Sequence, residues 1–167
     1  GIESIKVVRP GRSAPSFLVL LFERMRAPEN GWALLTSYFS SAQGSEEDAL
    51  EFAVKRTNEE IGVDRTQNFG SCIAVAIGQS AFAVASGGDA SAHLVVPGKT
   101  IDITPAYTRM TRNKHFAALT AGAHAQGTIA IALTKKGSGD LASFHVLSEV
   151  EGVEAQKETT ISLAHRD

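Results

Sequence analysis

Polar and hydrophobic positions divide the chain into short runs separated by glycine and proline. Ile5-Lys6-Val7-Val8-Arg9 predicts a strand stopped by Pro10-Gly11, and Phe17-Leu18-Val19-Leu20-Leu21-Phe22, inside Ser16–Arg24, predicts a central one. Arg26 to Gly31, with Pro28 and Asn30-Gly31, is turn chemistry. Trp32–Phe39 then reads as the antiparallel partner of the central strand. The helical signal is clearest from Ser45. Ser45 and Asp48 make a capping-box pattern, and Glu46, Glu47 and Asp48 suit the positive end of a helix dipole. Leu50, Ala53, Val54, Thr57 and Ile61 fall on one face, and Gly62 ends the run. Lys55, Arg56, Glu59 and Glu60 read as its solvated face.

Further strands are expected at Ile73–Ile77, around Phe82–Val84, at Ala92–Val96, and at Thr100–Thr104 as an edge. The last are expected at Thr128–Leu133, Ser143–Leu147 and Thr159–Leu163. Ser86-Gly87-Gly88-Asp89 must turn or bulge, and no Gly-Lys-Ser/Thr follows to make a phosphate loop. Strands outnumber helices. The expectation is an α+β single domain over 1–167, with a mixed or antiparallel sheet or sandwich and few helices.

Composition narrows the partners. The 167 residues suffice to bury a core, and 43% hydrophobic with 20% charged residues is ordinary for a globular chain. A net charge of −2 argues against nonspecific binding to nucleic acid or anionic membrane. No apolar run is long enough for a helical span, and Gly1-Ile2-Glu3 opens no visible signal peptide. One cysteine excludes an internal disulfide and a cysteine-based zinc site, and His115, His124, His145 and His165 show no metal-ligand spacing. No metal and no cofactor are therefore expected. The oligomeric state is not legible.

The candidate chemistry is thiol catalysis. Cys72 opens a buried-type strand just after Gly70-Ser71, a placement that suits a nucleophile of fixed attack geometry. His93 follows in Ala92-His93-Leu94-Val95-Val96, and its imidazole reaches the sulfur if the two strands are neighbours. The bland alternative is a small buried cysteine and a satisfied core histidine.

Gly70-Ser71-Cys72-Ile73-Ala74-Val75 and Ala92-His93-Leu94-Val95-Val96-Pro97 resemble two signature pieces of the chemotaxis receptor glutamine deamidases, the CheD family. Thr66, six residues before the cysteine, matches a threonine of that family and of Burkholderia lethal factor. Gly127–Leu133, Val146–Glu149 and Thr159–Leu163 resemble the last strands of the cytotoxic necrotizing factor catalytic domain. The Cys-to-His interval is longer here, and the toxin branch usually has Ser-Gly-Cys. The resemblance implies a CNF/CheD-like fold and a protein glutamine deamidase, with a possible transglutaminase side reaction. Its substrate would be a glutamine-bearing protein, a host small GTPase or translation factor for a toxin, or a chemotaxis receptor. A secreted or injected bacterial effector acting in host cytosol fits the toxin branch, and the bacterial cytoplasm fits the receptor branch. In that reading Cys72 is the nucleophile, His93 the base and acid, and Thr66 the group that holds the ring, with His115 and His124 as competing bases. Backbone amides near Ser71 and Cys72 would form the oxyanion hole.

Two other readings stand beside it. One is a non-enzymatic interaction module that keeps the fold. The other compares Gly70 to Gly88 with the middle strands of the metal-dependent PPM phosphatases, although the paired aspartates and the Asp-Gly-x-x-Gly segment of such a metal site are lacking.

Overall fold

A computed structural model describes residues 2–9, 16–23, 31–61, 71–105, 118–123, 127–134, 141–147 and 156–159. Its strands are β1 (Ile2–Arg9), β2 (Ser16–Glu23), β3 (Cys72–Ile77), β4 (Ala81–Gly87), β5 (Ala90–Val96), β6 (Lys99–Asp102), β7 (Ala118–Ala123), β8 (Thr128–Thr134), β9 (Leu141–Leu147) and β10 (Gln156–Thr159). Two helices, α1 (Gly31–Ser41) and α2 (Glu46–Ile61), fall between β2 and β3. The strands form two five-stranded antiparallel sheets, ordered β1-β2-β3-β4-β7 (sheet A) and β10-β9-β8-β5-β6 (sheet B). The α+β class and the antiparallel sandwich are as expected.

Period-two alternation builds the layers. In sheet A, Val19, Leu21, Ile73, Val75, Ile77, Phe82 and Val84 point at sheet B and meet Ala92, Leu94, Ile129, Ile131, Leu133 and Leu147. Their neighbours Leu18, Leu20, Phe22, Cys72, Ala74, Ala76, Ala83 and Ala85 face the other way, against Leu35 and Phe39 of α1 and Ala49, Leu50 and Ala53 of α2. β2 and β3 thus read as nearly continuous apolar runs because both faces are covered. The centre of the helix-side face is alanine and cysteine, which lets α2 lie close over β3 and β4.

Trp32–Phe39 is helix, not the expected strand. Leu35 and Phe39 are fully buried one helical turn apart, and Trp32 stacks on Phe22 at 6.2 Å between ring centroids. Hydroxyls along this segment are absorbed by the helix. Thr36 Oγ1 donates to the Ala33 carbonyl at 3.0 Å, and Ser41 Oγ to that of Ser37 at 3.2 Å. β2 pairs instead with β1 and β3. α2 begins as the pattern requires, with the Asp48 amide donating to Ser45 Oγ at 3.1 Å. β7 was not foreseen, since Ala118-Leu119-Thr120-Ala121-Gly122-Ala123 has few β-branched residues and is defined by its pairing with β4.

One end of the sandwich is tied by a buried arginine. Arg9, 1% exposed, donates to Ser16 Oγ at 2.8 Å and Glu46 Oε1 at 3.2 Å, and lies 5.3 Å from the Phe39 ring centroid. A Cβ on Gly78 would stand 2.4 Å from the Glu46 carboxylate, so the start of α2 sits on the β3–β4 turn. α2 therefore runs from this end toward the opposite one, where β2 ends and β3 begins.

Candidate functional site

The structure does not bring Cys72 and His93 together. Cys72 is 0% exposed and belongs to the cluster between sheet A and the helices. His93 is on β5 of sheet B, and because Ala92 and Leu94 on either side of it point into the core, it faces away from sheet A. Packed sheets lie about 10 Å apart, and these side chains leave opposite faces of the pair, so a contact of about 3–4 Å is excluded. The contact required β3 and β5 to be neighbours; they belong to different sheets. His93 Nε2 lies 3.9 Å from Asp102 Oδ1, on the neighbouring strand. That oxygen also accepts the Thr104 amide at 2.9 Å, and with Asp102 68% exposed the pairing is of the weak surface kind. Thr66, His115, His124 and His165 lie outside the described residues. His145 is on β9, opposite Ile131.

A different constellation stands at the far end of the sandwich from Arg9. The pairs Ile2–Glu23, Phe22–Cys72, Cys72–Gly87 and Ser86–Ala118 align the end of β2, the start of β3, the end of β4 and the start of β7. Gly88 and Asp89 cross from β4 in sheet A to β5 in sheet B at this end. Gly88 has φ 66°, the left-handed region that glycine enters without strain, and the Ala90 amide donates to its carbonyl at 3.2 Å. Asp89 is exposed at the tip, and its amide donates to Ser71 Oγ at 3.0 Å. Ser71 itself is 5% exposed. Glu23 occupies the last position of β2 at the same end. β3 lies between the end of β2 and the end of β4 in the sheet. The Gly-Gly-Asp stretch was legible only as a turn, because its place beside the start of β3 depends on the pairing of β3 with β4.

The sequence matches no protein-family model and none of the curated proteins compared with it. Among solved structures it is similar to the PPM Ser-Thr phosphatase MsPP from Mycobacterium smegmatis, with 14% identity, a TM-score of 0.47, and 80% of this chain and 77% of that one covered. It is also similar to PppA, a regulatory component of the type VI secretion system of Pseudomonas aeruginosa, with 12% identity, a TM-score of 0.46 and 82% and 81% covered. A third is the serine/threonine phosphatase PstP/Ppp of Mycobacterium tuberculosis, with 10% identity, a TM-score of 0.42 and 78% and 77% covered. Likeness at this level assigns no activity.

None of these three is a cytotoxic necrotizing factor, Burkholderia lethal factor or CheD-like deamidase, and the assignment to that superfamily is withdrawn. The glutamine deamidase activity, its thiol mechanism and the glutamine-bearing substrate go with it. So do the receptor-deamidase alternative and the interaction module built on that fold. Physically, a fully buried Cys72 separated from His93 by the sandwich is a core residue. Among the described residues no helix is long and apolar enough to cross a membrane.

Proposed function

We propose that the chain is a phosphomonoester hydrolase whose working end is the β4–β5 crossover. The observation that carries this reading is the exposed Asp89 at the crossover between the two sheets, its backbone amide donating to Ser71 Oγ at 3.0 Å. Phosphoryl transfer asks the protein mainly for positioned charge. Asp89 is the exposed carboxylate that this crossover would offer to a divalent cation. Carboxylate oxygen is the donor type that Mg²⁺ and Mn²⁺ take, but one carboxylate does not by itself make a site. Among the described residues there is no group of three or more His, Cys, Asp or Glu that could hold a metal, so these residues alone do not fit one. When bound, such a cation polarises a phosphoryl group and acidifies a water that can attack it. Asp89 stands exposed on a turn. That suits a phosphate presented by a macromolecule, such as a phosphorylated protein side chain, better than a small metabolite enclosed in a cavity.

The test is hydrolysis of para-nitrophenyl phosphate and of a phosphoserine peptide with Mg²⁺ or Mn²⁺ added, alongside Mn²⁺ binding followed by electron paramagnetic resonance. Metal-dependent turnover is expected, with Asp89→Asn lowering it roughly a hundredfold, the scale of losing one positioned charged group. Absence of both turnover and Mn²⁺ binding refutes the reading. So does turnover that Asp89→Asn leaves unchanged.

A further inference from the structure

We infer that the outer face of α2 is an interface between two copies of this chain, packed antiparallel across a two-fold axis at Phe52. The inference does not depend on the hydrolase reading. α2 buries Glu46, Leu50, Ala53 and Thr57, so Asp48, Phe52, Lys55 and Glu59 share the opposite face and form one exposed stripe. Phe52 is its apolar centre. The ring is 44% exposed and stands edge-on to Tyr38 of α1, 5.8 Å between centroids. Arg56 lies over the same Tyr38 ring at 5.5 Å. An aromatic already fixed by its neighbours gives up little freedom when a partner covers it, and aromatic and arginine side chains are enriched in interface centres.

The charges around Phe52 point to what covers it. Arg56 is engaged within the chain, with Glu59 at 3.7 Å and Glu60 at 3.9 Å. Asp48, Glu51 and Lys55 are exposed, and among the described residues they enter no ion pair, although Glu51 and Lys55 are spaced to make one. A two-fold contact repeats the same patch on both sides. With parallel helices Asp48 would meet Asp48 and Lys55 would meet Lys55. With antiparallel helices centred on Phe52, positions equally far before and after it meet. Asp48 of each copy then faces Lys55 of the other, with Glu51 one turn along on the same side. Glu59 comes opposite Ser45, at the positive end of the second copy's α2. The two Phe52 rings meet at the axis between these opposed charges, which shut water out. A second copy supplies this complementarity by symmetry alone. One helix against one helix is a small contact, so the dimer is weak and depends on concentration.

The experiment is sedimentation velocity of the whole chain over a concentration series. The wild type should pass from monomer to dimer between roughly 10 µM and 1 mM chain. Phe52→Ser should weaken the dimer roughly tenfold or more, the scale of losing a central interface residue on both sides. Lys55→Glu and Glu51→Lys should each dimerise less than wild type, because each sets like charges face to face. An equimolar mixture of these two variants should associate more tightly than either alone, since the new carboxylate at position 55 then faces the new ammonium at position 51. That recovery separates a contact across the two-fold from a change within one chain. A wild type that stays monomeric up to roughly 1 mM overturns the inference. So does a dimer that Phe52→Ser leaves unchanged, or a mixture no tighter than the better of its two components.

Discussion

Replacing Arg9 by methionine separates a buried ion pair from a decorative one. The guanidinium is 1% exposed and the Glu46 side chain 11%, so water does little to screen their interaction at 3.2 Å. Met fills much of the volume and keeps contact with Phe39, but leaves the Glu46 carboxylate facing the Gly78 turn without the Arg9 cation. An uncompensated buried charge costs about 3–5 kcal/mol, whereas an exposed pair contributes about 0–1 kcal/mol. At about 2–4 °C per kcal/mol for a chain of this size, the melting temperature should drop by roughly 6–20 °C. The double change Arg9→Met with Glu46→Leu removes both charges together, and apolar replacement of a whole pair is often near neutral. It should therefore be more stable than Arg9→Met alone, with a coupling of about 2 kcal/mol or more. Urea denaturation followed by circular dichroism of the four proteins in the cycle measures this. A single-mutant loss below about 1 kcal/mol, or additive effects of the two changes, refutes the argument that the pair locks the β1–β2 end to α2.

Gly78→Ala should destabilise by about 1–3 kcal/mol, because its Cβ would lie 2.4 Å from the Glu46 carboxylate, and much less in a Glu46→Ala background; thermal melts of the two pairs test this. Cys72, fully buried under the helices, should resist iodoacetamide in the native protein and react once urea unfolds it, and rapid native alkylation read by mass spectrometry would contradict the assigned packing. Phe39→Ala should cost about 3–5 kcal/mol in the same denaturation assay, since its ring is 0% exposed between α1, sheet A and Arg9.

Local chemistry determined much of this chain. The cap at Ser45 and the apolar face through Leu50, Ala53 and Thr57 specify α2, because a helix start and its 3.6-residue period are written within a few neighbours. The glycines of the β4–β5 turn and the apolar runs of β2, β3, β5 and β8 were legible for the same reason. Trp32–Phe39 was not: aromatic, leucine and hydroxyl residues suit either period, and burial of Leu35 and Phe39 against Phe22 and the alanine face of sheet A decided for the helix. The site depended on tertiary structure still more. Gly-Ser-Cys and Ala-His look like a catalytic pair when read along the chain, but the Gly88-Asp89 crossover moves the chain from one sheet to the other between them. Side-chain direction then alternates independently in each sheet, so Cys72 turns toward the helices and His93 toward the opposite side. The same crossover sets Asp89 beside Ser71 at the start of β3, a neighbourhood made by strand order and register.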